Sequence, residues 1–197
     1  MIYGVGIYAK GKHRSFKDGV QTKEYAVWTS MLRRCYGKHK DKHITYENCT
    51  VCKEWLYFQN FADWYCKHEY YIENDNLNLD KDLLVKGNTI YSPSTCCLLP
   101  SRLNKLLQRG TTHRNEFPIG VRQDMRSGSY VAEMKIVNCN GNRKTKHIGC
   151  YGNKYDAFNA YKVAKENYIK YLADTYKNCL PDYIYNALYN YKILITD

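Results

Sequence analysis

The chain has 197 residues and a net charge of +11, a length that suits one large or two small domains. No apolar run approaches the length of a transmembrane helix, and the N-terminus lacks the charged-then-apolar pattern of a signal peptide, so no membrane partner is expected. Nine cysteines, an odd number outside a small secreted scaffold, read as reduced thiols of a cytoplasm.

The charge is unevenly spread. Residues 1–40 carry nine Lys/Arg against two acids, residues 41–110 eight against nine, and residues 111–151 seven against three. Two basic regions therefore flank a near-neutral middle. Lysines and arginines that neutralise phosphates release counterions, so a polyanion is the natural partner. The plainer alternative is that surplus charge serves solubility. Twenty-one tyrosines supply apolar area with a polar tip, suited to cores and to stacking on bases.

Met1–Val20 reads as a strand pair or a basic arm, punctuated by Gly4, Gly6 and Gly11. Lys10, Lys12 and Arg14 would lie on phosphates; a mobile terminus is the alternative. The spacing predicts an amphipathic helix over Lys23–Tyr36, with Tyr25, Trp28, Met31, Leu32 and Cys35 on one stripe. Arg33 and Arg34 fall near its C-terminal end, where the helix dipole favours cations, and Gly37 stops it. Lys38–Lys42 is a basic loop, and Cys49–Cys52 a short strand or turn. Glu54–His68 reads as a second helix that buries Trp55, Phe58, Phe61, Ala62 and Tyr65. Glu69–Asn78 is polar and loop-like. Pro100 opens a short helix with Leu103, Leu106 and Leu107, which Gly110 ends.

Phe117–Tyr168 reads as three strands and a helix. Ile119–Arg122 is the first strand. Tyr130–Val137 alternates, with Tyr130, Ala132, Met134 and Ile136 on one face and Val131, Glu133 and Lys135 on the other. Arg143–Tyr151 is the third strand, with Ile148 inward and His147 outward. Asn153 caps the helix, with Asp156 three residues on. Ala157, Ala160, Tyr161, Ala164 and Tyr168 form its sheet-facing side. The other sheet face is left open and carries Arg122, Arg126, Glu133, Lys135 and His147. Cys179–Asp197 is a tyrosine-rich tail with enough apolar residues to pack on the body. The expected class is α+β: an N-terminal α+β domain over 1–110, the sheet and helix over 111–175, and the tail over 176–197.

Two stretches resemble known families. Ile119-Gly120-Val121-Arg122, Tyr130–Lys135, His147–Tyr151 and the alanine-rich helix from Lys154 resemble the ethylene-response-factor type of DNA-binding domain, which also occurs in phage endonucleases. The resemblance implies that the open sheet enters the major groove of double-stranded DNA. It places Arg122, Glu133 and Lys135 at DNA-contacting positions. Arg126 and His147 stand where that family has tryptophans, so its base preference does not carry over.

The second stretch comprises Trp28, Met31, Arg34-Cys35-Tyr36, Val51-Cys52, Glu54-Trp55, Asp80-Lys81-Asp82, Gly87-Asn88, Tyr91–Cys97 and Asn104. It is similar to a phage family related to HNH endonucleases, which implies a homing-type nuclease in a bacterial host cell with one divalent metal, Mg²⁺, on the scissile phosphate. Asp80 and Asn104 match the motif. Lys81 occupies the place of the general-base histidine, and Thr95 that of a middle Asn. A charged lysine cannot accept a proton, so the motif is degraded. Three readings stand: His43 or His68 supplies the base; Asp80 and Asp82 make a carboxylate metal site; or the fold binds DNA without cutting. A regulator, or a phage protein that binds a host protein, is the rival class. Asp80 and Asp82 also read as a plain capping turn. Cys49 and Cys52 have the spacing of one zinc knuckle, with Cys35, Cys66, Cys96 or Cys97 available to complete a structural Zn²⁺ site; buried free thiols are the alternative. Cys139, Cys150 and Cys179 read as structural.

Overall fold

The structure, a computed structural model, describes residues 1–38, 48–107, 117–137 and 143–197. The basic loop Lys38–Lys42 beyond Lys38, His43, Gly110 and Cys139 lie outside the described residues. The protein is α+β, and the chain divides into two compact units, Met1–Pro100 and Ser101–Asp197. The division falls at Pro100 and not at residue 110. The helix after Pro100 therefore belongs to the second unit, and so does the tail.

In the first unit, the Asp18-Gly19 turn joins strands β1 (Phe16–Lys17) and β2 (Val20–Gln21). Both turn residues have positive φ, 51° and 76°, as a two-residue hairpin of right-handed twist requires. Helix α1 (Lys23–Tyr36) has the expected bounds and buries Trp28, Met31, Leu32 and Cys35. Gly37 ends it at φ −69°, with its N–H donating to the Arg33 carbonyl. A Cβ at this glycine would strike that carbonyl, so close approach, not left-handed backbone, calls for glycine.

The second helix starts later than its periodicity predicts. Lys53–Leu56 is a single 3₁₀ turn, Tyr57 is extended, and α2 runs Phe58–His68. The break has a tertiary cause. Ile7 pairs in parallel with Tyr57; Ile7 N–H donates to Leu56 O at 2.7 Å, and Phe58 N–H donates to Ile7 O at 3.0 Å. That bond takes the Phe58 amide out of a continuous helical ladder. Trp28, Trp55, Phe58 and Phe61 are fully buried between α1 and α2, and Trp28 Nε1–H donates to the Trp55 carbonyl at 2.7 Å. Strands β3 (Thr50–Val51) and β5 (Ile90–Tyr91) pair in parallel. Strands β4 (Leu77–Asp80) and β6 (Cys97–Pro100) pair antiparallel, with Asp80 opposite Cys97.

In the second unit, α3 (Ser101–Leu107) precedes an antiparallel sheet of β7 (Val121–Gln123), β8 (Tyr130–Val137) and β9 (Arg143–Tyr151), in that order. The sheet packs on α4 (Lys154–Thr175), and α5 (Asp182–Tyr189), formed by the tail, packs on α4 as well. The first strand starts at Val121 and not at Ile119, because Val121 N–H closes a turn onto the Pro118 carbonyl. Gly120 makes this turn at φ +77°, and the Tyr161 ring fills the space a Cβ would need.

Asn153 caps α4 as expected: its Oδ1 accepts from the amides of Tyr155 and Asp156 at 3.0 and 2.9 Å. The buried stripe of α4 departs from the alanine face. It runs in steps of four through Ala157, Tyr161, Lys165, Ile169 and Ala173, with Phe158 beside it. Ala160, Ala164 and Tyr168 are only half-buried.

Two strand expectations also change. Val131, expected on the open face, is 3% exposed, because it sits in the central strand between its register partners Arg122 and Cys150. Ile148 is the extra residue of a β-bulge: Ala132 pairs with Gly149 and Glu133 with His147, which skips Ile148.

Candidate nucleic-acid interface and the Asp80 loop

Register partners share a face of a sheet. Arg122, Val131 and Cys150 form one cross-strand row; Glu133 and His147 form the next, and Lys135 and Thr145 the one after. Ala132, Met134 and Ile136 point the other way. In the outward rows Arg122, Lys135, Thr145, His147 and Cys150 are exposed, and Glu133 is half-exposed. Arg122 Nε–H donates to Glu133 Oε2 at 3.3 Å. At this exposure such a pair is worth little and opens readily. His147 Nε2 and Cys150 Sγ lie 3.9 Å apart.

Arg126 stands in the β7–β8 turn, which its own hydrogen bonds stiffen. Asp124 Oδ1 accepts from the Arg126 amide at 3.1 Å, and Asp124 Oδ2 accepts from Ser127 Oγ at 2.9 Å. These bonds hold the Asp124 carboxyl below its ordinary range. Lys144 and Lys146, exposed on the edge strand β9, pair with Ile136 and Met134 and so belong to the opposite face.

The N-terminal arm is docked, which removes the mobile-terminus alternative. Gln59 Nε2–H donates to the carbonyls of Ala9 and His13 at 3.0 and 2.9 Å, and Gln59 Oε1 accepts from the His13 amide at 2.9 Å. Lys12 Nζ pairs with Asp63 Oδ1 at 3.0 Å. His13 and then Lys12 hold the Asp63 carboxyl below the usual carboxylate range. Lys10, Lys12 and Arg14 are all exposed.

Asp80, Lys81 and Asp82 come together in a loop that is already hydrogen-bonded. Asp80 Oδ1 accepts from the amides of Asp82 and Leu83 at 2.9 and 2.7 Å. Lys81 is 6% exposed, and its Nζ donates to Asp82 Oδ2 at 2.8 Å and to the Asn88 carbonyl at 2.7 Å. Asn88 Nδ2–H donates in turn to the Lys81 and Ile90 carbonyls at 3.0 and 2.7 Å. Thr95 Oγ1–H donates to the Ile90 carbonyl at 2.8 Å. Burial pushes the Asp80 carboxyl above its ordinary value, against the pull of the Leu83 amide.

A divalent metal does not fit this arrangement. Asp80 Oδ1 is taken by two amides, and a buried ammonium already occupies the cation's place beside Asp82. Asn104 lies in α3, buried, in the second unit. His68, a candidate base, pairs through Nδ1 with the Trp64 carbonyl at 2.7 Å and stacks on the Trp64 ring.

Among the described residues, the one group of three or more side chains placed to share a metal is His13, Glu24 and Cys66. It includes Cys66 from the sequence candidates but not Cys49, Cys52, Cys35, Cys96 or Cys97. Burial raises the thiols of Cys49 and Cys52 and pushes Cys96 up to about 12. Cys150 and Cys179, expected to be structural, are exposed.

No protein-family model matches the chain, and neither the curated proteins nor the solved structures hold a match to it. No helix among the described residues is long and apolar enough to cross a membrane.

Proposed function

We propose that the chain is a double-stranded-DNA-binding protein that docks the outward face of β7–β9 in the major groove. The carrying observation is that Arg122, His147 and Lys135 stand exposed in three successive cross-strand rows of one sheet face, with Arg126 held out by a stiffened turn. The major groove admits a sheet or ribbon and offers guanine acceptors to arginine and a cytosine donor to a carboxylate. In this reading Arg122 exchanges Glu133 for a base edge, Glu133 accepts from cytosine, and Lys135 meets a phosphate. Lys10, Lys12 and Arg14 of the first unit grip flanking phosphates.

Replacing Arg122 and Lys135 together by Ala is expected to weaken binding of a duplex. It also lowers the slope of log affinity against log salt by about one for each phosphate that is no longer neutralised. The measurement is fluorescence anisotropy across a salt series. An unchanged slope removes the sheet from the interface.

The stretch from Trp28 to Asn104 resembles the HNH-like homing endonucleases, in this reading with a decayed catalytic motif. The Asp80 loop favours binding without cleavage, since Lys81 fills the position of the base and neutralises Asp82. Plasmid incubated with the protein and Mg²⁺ is expected to be bound and left unnicked. Nicking that Asp80→Ala abolishes would restore the catalytic reading.

A further inference from the structure

The loop that carries the basic arm also places an imidazole, a carboxylate and a thiol beside one another, and duplex binding uses none of them. The ligand atoms of His13, Glu24 and Cys66 all lie within 4.8 Å of one another. His13 Nδ1 and Cys66 Sγ are 3.9 Å apart. The other ring nitrogen, Nε2, is 2.9 Å from Asp63 Oδ1. The His13 side chain is 10% exposed, and its main chain is clasped on both sides by the Gln59 amide.

Gln59, Asp63 and Cys66 stand at i, i+4 and i+7 of α2. One helix face therefore fixes the backbone of His13, orients its ring and supplies a donor. Glu24 reaches in from the first turn of α1.

We propose that His13 Nδ1, the Glu24 carboxylate and Cys66 Sγ bind one divalent transition-metal ion, zinc by the character of the donors. Hard cations such as Mg²⁺ and Ca²⁺ take oxygen ligands, whereas a mixed nitrogen, oxygen and sulfur set suits zinc. The spacing agrees. Zinc–sulfur and zinc–nitrogen bonds of tetrahedral geometry put the two ligand atoms roughly 3.6 Å apart, a few tenths of an ångström inside the observed separation. Glu24 closes the remaining distance by a rotamer change of its long side chain.

Asp63 supplies what a metal-bound histidine ordinarily has, a carboxylate on the other ring nitrogen that fixes the tautomer and strengthens the donor. Thiolate and carboxylate together balance the dication. Three protein ligands, one of them at the surface, leave the fourth position to water. The ion would tie the arm to α1 and α2, and the proposal holds whether or not the sheet binds DNA.

The test uses the full chain carrying Cys150→Ser, so that the His147–Cys150 pair contributes no thiolate. After chelation and buffer exchange, the protein is titrated with Zn²⁺ and, separately, with Co²⁺. The expected result is one equivalent of zinc, and a Co²⁺ complex with a thiolate charge-transfer band and four-coordinate visible bands. Cys66→Ser abolishes the charge-transfer band and lowers zinc affinity at least a hundredfold. Asp63→Asn lowers it about ten- to a hundredfold, and Cys49→Ser with Cys52→Ser leaves both readouts unchanged. Cys66 is exposed, so its replacement leaves the fold in place and the test valid. Less than stoichiometric binding, or a Co²⁺ band that survives Cys66→Ser, overturns the proposal.

Discussion

At the residue scale, Lys165 tests how the second unit tolerates charge. It occupies the middle of the buried α4 stripe, is 8% exposed, and lines a cavity of about 30 Å³ with Leu106, Ile119, Tyr161, Ile193 and Asp197. Burial lowers its pKa to about 8. The unfolded chain keeps this proton up to about pH 10.4, so between about pH 8 and 10.4 the unfolded state binds more protons and stability rises with pH. Below pH 8 the full penalty stands, on the order of 3 kcal/mol. Lys165→Met is therefore expected to stabilise the protein at pH 7, and its advantage shrinks as pH climbs through that window. Denaturant unfolding of both proteins at pH 7 and pH 10 checks this; an advantage independent of pH counts against it. The helical period already marked Ala157 and Tyr161 as buried. It did not lead to Lys165, because lysine at a stripe position ordinarily faces water. The Asp80-Lys81-Asp82 cluster was likewise visible as a cluster. What its atoms do depended on Asn88, which returns from seven residues away to accept Lys81.

At the element scale, what could be read from sequence was what local chemistry decides. The α1 stripe, the third strand and the Asn153 cap depend on residues within one or two turns of each other, and the structure forms them at those positions. The start of α2 does not, because Ile7, about fifty residues upstream, captures the Phe58 amide. The same holds for the His13–Cys66 pair, whose members meet only through α2. The Asp18-Gly19 hairpin, by contrast, has a local signal in its turn dipeptide. Two substitutions separate local from tertiary control in the second unit. Asn153→Ala removes two accepted amides and is expected to cost about 1 kcal/mol in chemical unfolding. Gly120→Ala imposes a left-handed conformation that costs about 1–2 kcal/mol on a residue with a Cβ and also drives that Cβ into the Tyr161 ring. It is expected to be the more damaging of the two. Equal destabilisation would mean that the close approach of Gly120 and Tyr161 carries no weight.

At the scale of the whole molecule, the two units differ in net charge. Ser101–Asp197 holds sixteen Lys/Arg against eight Asp/Glu, a net of +8, while Met1–Pro100 holds fourteen against eleven, a net of +3. Each unit also has a core of its own: the Trp28, Trp55, Phe58 and Phe61 cluster in the first, and the sheet on α4 with α5 in the second. Counterion release scales with the phosphates a protein neutralises, so the salt-sensitive part of duplex binding belongs mainly to the second unit. A fragment covering Ser101–Asp197 is therefore expected to fold cooperatively and to keep most of the salt slope of the full chain. The complementary fragment, Met1–Pro100, is expected to bind duplex weakly and with a shallow slope contributed by Lys10, Lys12 and Arg14. Circular dichroism and anisotropy on both fragments decide the matter. If the slope follows Met1–Pro100 instead, the docked arm, and not the sheet, is the nucleic-acid surface of this protein.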